Sequence, residues 1–184
     1  MARANKLKAP DLPSRQLSLA ALTTVWLTVL GLCISPTASA ADAQARAEAA
    51  IRNACQQLIL DYASLRDQRR GDHFANLFTV DGVLTVNGET FVGRQALAAR
   101  FAQASNQRSR HMMSNIRVAV EDAERASAVS YALIFVGEQR SSKDTGPVAV
   151  AGFTAMGEYH DEFVLTDEGW RIAVRRFIPA FVPE

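Results

Sequence analysis

The chain has 184 residues, with 20 Lys and Arg against 19 Asp and Glu, and its formal charge is +1 at pH 7. A near-neutral chain without a basic run lacks the concentrated positive surface that nucleic-acid binding needs, so we expect no nucleic-acid partner. Hydrophobic residues make up 48% of the chain, which is enough to bury the core of one ordinary domain.

The first forty residues are typical of a secretory signal. A basic start precedes an apolar run over residues 17–34, and residues 38–40, Ala-Ser-Ala, have the pattern that signal peptidase recognises. The apolar run approaches the length of a membrane span, so a retained anchor is the alternative, but the cleavage pattern favours removal. We therefore predict a signal peptide over residues 1–40 and a periplasmic or secreted domain over residues 41–184, without membrane contact after cleavage.

Cysteine and histidine positions limit the chemistry of this domain. Cys55 is its single cysteine, so no internal disulfide framework can form, and its apolar neighbours predict a buried structural thiol. His73, His111 and His160 are scattered along the chain without the close spacing of a metal site. We therefore expect neither a metal ion nor a cofactor.

Hydrophobic periodicity predicts helices first and strands later. The expected elements are a helix over 43–66, a helix capped by Asp72 and continuing through Phe78, strands over 83–86 and 90–92, a helix carrying Leu97 and Phe101, and strands from 110 onward with breaks at 122–124, 139–146 and 167–169. Without regular strand-helix alternation, this order indicates an α+β domain with a mostly antiparallel sheet. A long sheet curved around a helix would enclose a pocket.

The segment around His111 is the best candidate for a pocket wall. With strict alternation along a strand, His111, Met113 and Asn115 share one face, and Met112 and Ile116 share the other. The first face mixes a titratable ring and an amide with an apolar thioether, which suits the lining of a small-molecule cavity. The second face is predicted to be core.

Several ordered motifs extend over the whole domain. They are Asp61-Tyr62-x4-Asp67, Gly71-Asp72, Leu77-Phe78-Thr79-x-Asp81-Gly82, Phe91-x-Gly93-Arg94, Arg110-His111-x3-Asn115, Tyr159-x-Asp161 and Gly169-Trp170-Arg171-Ile172. This order resembles the SnoaL-like branch of the NTF2-like superfamily. The resemblance implies a cone-shaped α+β barrel, with helices packed on a curved sheet that encloses a pocket. It does not define the reaction, since the superfamily includes isomerases, dehydratases, other lyases and non-catalytic proteins.

Some members of this family pair an Asp on the first helix with a His at the start of a strand. Scytalone dehydratase, bile acid 7α-dehydratase and hexachlorocyclohexane dehydrochlorinase are of this kind, and the matching positions here are Asp67 and His111. The resemblance implies that His111 is a general base, that Asp67 orients it, and that Tyr62 or Asn115 polarises a substrate oxygen. Tyr62 also lies on the helix face expected to enter the core.

Asp161 has two interpretations. Its parity within the strand makes it either a pocket acid that contacts substrate or a buried partner of Arg175 or Arg176. Several related enzymes carry an arginine in the strand before the last turn, where this chain has Leu165 or Thr166. An anionic substrate or leaving group is therefore not expected to be stabilised from that strand.

Two functions of different class remain. The first is a cofactor-independent lyase or isomerase that acts on a hydrophobic small molecule through Asp67, His111 and Tyr62, with Met113, Asn115 and Asp161 contacting the substrate. The second is a non-catalytic exported module that binds a hydrophobic ligand. The sequence leaves the oligomeric state open, including a homo-oligomer.

Overall fold

The structure, a computed structural model, describes residues 39–101, 105–141, 143 and 145–184. Most of the predicted signal peptide, residues 1–38, lies outside the described residues. None of the described helices is both long enough and apolar enough to cross a bilayer.

Three helices and six strands make up the described part of the domain. In chain order they are α1 (Ala40–Gln68), α2 (Gly71–Ala75), β1 (Phe78–Val86), β2 (Glu89–Val92), α3 (Gly93–Ala99), β3 (Gln107–Val120), β4 (Arg125–Glu138), β5 (Ala155–Thr166) and β6 (Gly169–Phe181). Helices precede the long strands, as the hydrophobic pattern predicts.

Helix α1 positions much of the site. It begins at Ser39, whose hydroxyl accepts the backbone N–H of Asp42 while the Asp42 carboxylate accepts the Ser39 N–H, a reciprocal cap. It ends at Arg69, which adopts a left-handed conformation with φ 56°. Its buried face includes Cys55 and Tyr62. Burial, with a smaller effect of the Asp161 charge, raises the pKa of Cys55 to about 11, in line with a structural thiol.

The strands form one curved sheet in the order β2-β1-β6-β5-β4-β3. Only the β1–β6 pair is parallel among these neighbours, so the predicted mostly antiparallel sheet is confirmed. The order ends at β2 and β3, and the sheet is therefore not closed into a barrel. Helix α1 packs against β3 and β6, and the aromatic core, including Tyr62, Phe74, Phe78, Tyr159 and Phe177, lies between helices and sheet.

A β-bulge overturns the predicted face alternation of β3. The pairing with β4 shifts between Ser114 and Arg117, where Asn115 adopts a positive φ of 49°. The extra residue moves the following side chains to the other face, so Ile116 packs on the core together with Met113. Met112, expected in the core, is 58% exposed. The prediction that Asn115 shares the face of His111 is therefore wrong.

Element boundaries differ in two other places. Asp72 lies within α2 rather than capping it, and Phe78, expected to end that helix, begins β1. Phe78 is fully buried and pairs with Ile172 of β6, so tertiary contacts outweigh the local pattern there. Residues 147–154, predicted as strand, precede β5 without belonging to it.

Candidate active site

A small cavity lies between α1 and the inner face of the sheet, with a volume of about 100 Å³. Its lining residues are Tyr62, Arg66, Val86, Asn87, Arg100, His111, Ile134, Val136, Thr154, Ala155, Tyr159 and Phe177. A larger depression of about 500 Å³ lies elsewhere on the sheet, where Arg117, His160 and Arg176 line it. We place the candidate site in the smaller cavity, because it contains His111 and two tyrosines.

Asp67 and His111 form a direct hydrogen bond, as the sequence predicts. The distance between His111 Nδ1 and Asp67 Oδ1 is 2.6 Å, and the other carboxylate oxygen accepts the backbone N–H of His111 at 2.9 Å. The last turn of α1 carries Asp67 and β3 carries His111, so packing of the helix on the strand brings them together. Their side chains are 12% and 5% exposed, respectively.

This contact determines which nitrogen of His111 can act as a base. An ionised carboxylate can only accept hydrogen bonds, so Nδ1 carries a proton, and in the neutral ring the lone pair is on Nε2. Burial raises the pKa of Asp67, but the hydrogen bonds from the His111 ring and backbone and from Ser109 outweigh it and lower the pKa overall. Asp67 is thus ionised at neutral pH and holds one tautomer of the ring.

Ser109 is a site residue that the sequence reasoning did not identify. Its hydroxyl donates to Asp67 Oδ1 at 2.8 Å, so the carboxylate accepts three hydrogen bonds from one strand. Ser109 lies two residues before His111 and therefore on the same face of β3, ahead of the bulge. The two-residue spacing of Ser109 and His111 along the strand is the sequence pattern that could have identified Ser109.

Two tyrosine hydroxyls meet in the cavity lining. Tyr62 Oη and Tyr159 Oη are 3.4 Å apart, and both side chains are buried. Burial, together with the neighbouring Tyr62, raises the pKa of Tyr159 well above its usual value, so its hydroxyl stays protonated. Tyr62 both lines the cavity and packs in the aromatic core. Tyr159 was not predicted as a site residue.

Asp161 lies in the core rather than in the cavity lining. Its Oδ2 accepts a hydrogen bond from Arg175 Nη1 at 3.0 Å, and neither side chain is exposed to solvent. The guanidinium lies between two rings, 4.0 Å from the centroid of Tyr62 and 3.9 Å from that of Tyr159. Of the two interpretations of Asp161, the structure matches the buried partner of Arg175.

The two other predicted contact residues are also absent from the cavity lining. Asn115 lies beside Arg117, Tyr131 and Glu158 at a separate depression, because of the bulge in β3. Met113 is partly buried against the core. Within the described residues, no group of three or more His, Cys, Asp or Glu side chains is placed to hold a metal ion.

Two arginines in the lining were not predicted either. Arg66 lies in the last turn of α1 with its guanidinium 5.3 Å from the ring of Phe101. Arg100 directly follows α3 with its guanidinium 4.4 Å from the ring of Phe91. Burial is the main cause that lowers the pKa of Arg100, with a contribution from Arg66, although an arginine so placed remains charged.

Comparisons with known proteins agree with this architecture. The uncharacterized protein Rv2910c of Mycobacterium tuberculosis is 29% identical over 141 residues, which cover 71% of this chain and 85% of that protein. The structure of a variant of Rv3472, a protein of unknown function from Mycobacterium tuberculosis, is 26% identical and has a TM-score of 0.57, with 72% of this chain and 76% of that chain covered.

Two further structures share the fold at lower identity. An NTF2-like protein with a cystatin-like fold from Novosphingobium aromaticivorans has a TM-score of 0.60 at 22% identity, covering 77% of this chain and 90% of that one. A hexachlorocyclohexane dehydrochlorinase has a TM-score of 0.62 at 16% identity, covering 74% and 90%. The sequence itself matches the SnoaL-like domain family over residues 47–176. The chain therefore belongs to the SnoaL-like domain family and has an NTF2-like fold.

Proposed function

We propose that the protein is a cofactor-independent lyase or isomerase that removes a carbon-bound proton from a hydrophobic small molecule. One observation carries this proposal: the 2.6 Å hydrogen bond between Nδ1 of His111, a residue of the cavity lining, and Asp67, which places the lone pair of the neutral ring on Nε2. A general base needs that arrangement, with its proton-free nitrogen towards the substrate and its other nitrogen held.

The proposed step transfers a proton from substrate carbon to Nε2 of His111. In an elimination, the C–H electron pair forms a new carbon–carbon double bond while the leaving group departs with its own bonding pair. In an isomerisation, the imidazolium returns the proton to another carbon. Asp67 stabilises the imidazolium in both cases, because its ionised carboxylate accepts the hydrogen bond from Nδ1–H throughout.

The tyrosine pair is suited to stabilise negative charge that develops on a substrate oxygen. If a carbonyl lies next to the reacting carbon, loss of the proton places charge on that oxygen. The hydroxyls of Tyr62 and Tyr159 lie together in the lining, and the raised pKa of Tyr159 keeps that hydroxyl a protonated donor. The apolar residues Ile134, Val136 and Phe177 of the same lining favour a hydrophobic substrate body.

The proposal is tested by proton exchange, since substrate identity is not needed to detect the base. Small carbonyl compounds with acidic C–H bonds are incubated with the protein in D2O, and deuterium incorporation is followed by NMR. We expect catalysed exchange that His111→Gln abolishes. If no compound exchanges or is turned over, and His111→Gln binds ligands as the native protein does, the non-catalytic binding module replaces this proposal.

We also propose export to the periplasm or the medium, which rests on the sequence of residues 1–40. N-terminal sequencing of protein recovered from those compartments is expected to start at or near Ala41. Full-length chain in the membrane fraction would favour the retained anchor instead.

A further inference from the structure

Arg66 and Arg100 line the cavity but have no part in the proton transfer proposed above. Among the described residues, neither guanidinium has a hydrogen bond or an ion pair, and their contacts are with the rings of Phe101 and Phe91. Glu89 acts on Arg100 through its charge without an ion-pair contact. The cavity lining therefore contains two cations whose guanidinium groups form no hydrogen bond with the part of the chain that the structure describes.

Arg100 is the stronger observation of the two. Its Nη1 is buried and has no hydrogen-bond partner among the residues that the structure describes. A buried donor that is left unpaired costs free energy, and the cost is larger when the group is charged. The charge of Arg66 adds repulsion to this burial. An anion bound in the cavity would lower both costs, because it accepts the N–H of Nη1 and offsets part of the positive charge of the two arginines.

We propose that Arg66 and Arg100 bind a carboxylate, so that the ligand of this cavity is a small organic acid with an apolar body. The guanidinium fork matches a carboxylate in plane and spacing. The volume of about 100 Å³ is below that of drug-sized pockets and suits a short carbon chain. The inference rests on the proposed function only in using the same cavity, and it names the substrate class for His111.

Such a carboxylate would also orient the substrate. Fixing one end of a small acid at the arginines limits the position of its remaining carbons, which lie between the apolar lining and His111. Holding a reacting carbon near a base is itself a large part of catalysis. Arg66 and Arg100 thus provide a positive charge that this chain lacks at Leu165 and Thr166. They lie in other elements of the fold, α1 and the residue after α3.

The test compares two probes of equal shape and different charge. Crotonate and its neutral amide, crotonamide, are titrated into the native protein by NMR and calorimetry. We expect crotonate to bind about ten- to a hundredfold more tightly, the range for hydrogen bonds to a charged group. Arg100→Gln is expected to abolish this preference, Arg66→Gln to reduce it, and Arg100→Lys, which keeps the charge but not the fork, to retain part of it.

Two control variants test whether the preference for the anion depends on the cavity arginines in particular. Arg125→Gln changes an exposed arginine paired with Asp122 in the β3–β4 turn, and it is expected to keep the full preference. His111→Gln is also expected to keep the preference for crotonate. The anion site can therefore be tested separately from the proposed catalytic role of His111. Thermal melting establishes that every variant is folded before its affinity for the two probes is measured.

Four results would overturn the inference. They are equal affinity for the two probes, absence of saturable crotonate binding, an unchanged preference in both glutamine variants, and tighter binding of inorganic phosphate than of crotonate. The last result would identify a phosphate site in place of a carboxylate site.

Discussion

Two carboxylates in this protein, the partly buried Asp67 and the fully buried Asp161, have opposite surroundings. Asp67 accepts three hydrogen bonds, and they lower its pKa despite burial. Within the described ranges, Asp161 has a hydrogen bond to Arg175 through Oδ2 and none through Oδ1, so burial prevails and raises the pKa of Asp161 to about 6. The comparison shows that burial alone does not determine the pKa of a carboxylate, because the hydrogen bonds that it accepts can outweigh burial. Both oxygens of Asp67 accept hydrogen bonds, and Nε2 of His111 takes no part in them. Asp161 instead pairs with the buried guanidinium of Arg175.

The largest expected effect is on activity at the Asp67 site. With a substrate in hand, His111→Ala and Asp67→Asn should each lower turnover by about two to four orders of magnitude, the range of positioned proton transfer. The double variant should lose little more than the worse single variant, because the two residues act as a unit. Steady-state kinetics measures all three.

A matched control for these variants is His160→Ala. His160 is exposed and pairs with Glu158, outside the cavity lining. We expect His160→Ala to keep the turnover of the native protein. A fall in its turnover as large as that of His111→Ala would contradict a specific role of His111.

At Asp161 the large effect is expected on stability. Asp161→Ala leaves the buried charge of Arg175 unpaired and should lower the free energy of unfolding by about 3–5 kcal/mol. The double variant Asp161→Leu, Arg175→Met should recover most of that loss, since it removes both charges from the core. Urea unfolding measures both, and a mild single variant would contradict the structural role.

The pH dependence at Asp161 has a definite sign. Its pKa is about 6 in the folded protein and has an ordinary value near 4 in the unfolded chain. Between these values the folded state keeps a proton that the unfolded state has lost, so stability falls as the pH rises from about 4 to about 6. We expect the native protein to lose roughly 1–3 kcal/mol there relative to the Leu/Met double variant.

Asp67 should show the opposite sign. Because its folded pKa is lowered, its contribution to stability is present above the unfolded pKa and disappears as the pH falls through the folded value. The stability difference between the native protein and Asp67→Asn should therefore shrink on acidification below about pH 4. Unfolding curves over this range measure it, and a difference that grows on acidification would contradict the assignment.

The smallest effect is expected for Ser109→Ala. It removes one of three donors to Asp67 and leaves the contact with the ring of His111 intact. We expect turnover to fall by less than about tenfold, near the value of one hydrogen bond. A loss as large as that of Asp67→Asn would show that Ser109 orients the carboxylate by itself.

Much of the fold, and the contact between Asp67 and His111, could be predicted from the sequence. The helical periodicity that places Cys55 and Tyr62 in the core, and the spacing of Asp67 and His111 in the family motif, are local or ordered features of the chain. The mostly antiparallel sheet follows from the order of elements. The catalytic role of these residues stays a prediction.

The sequence by itself determined the class of the fold, the helix that carries Asp67 and the strand that carries His111, because apolar periodicity and motif order are written along the chain. Tertiary structure alone decided that Asn115 leaves the face of His111, since a bulge arises from pairing between strands. It also decided that Arg66, Arg100 and Tyr159 line one cavity. Their closeness depends on packing between elements far apart in sequence, and no local pattern records it.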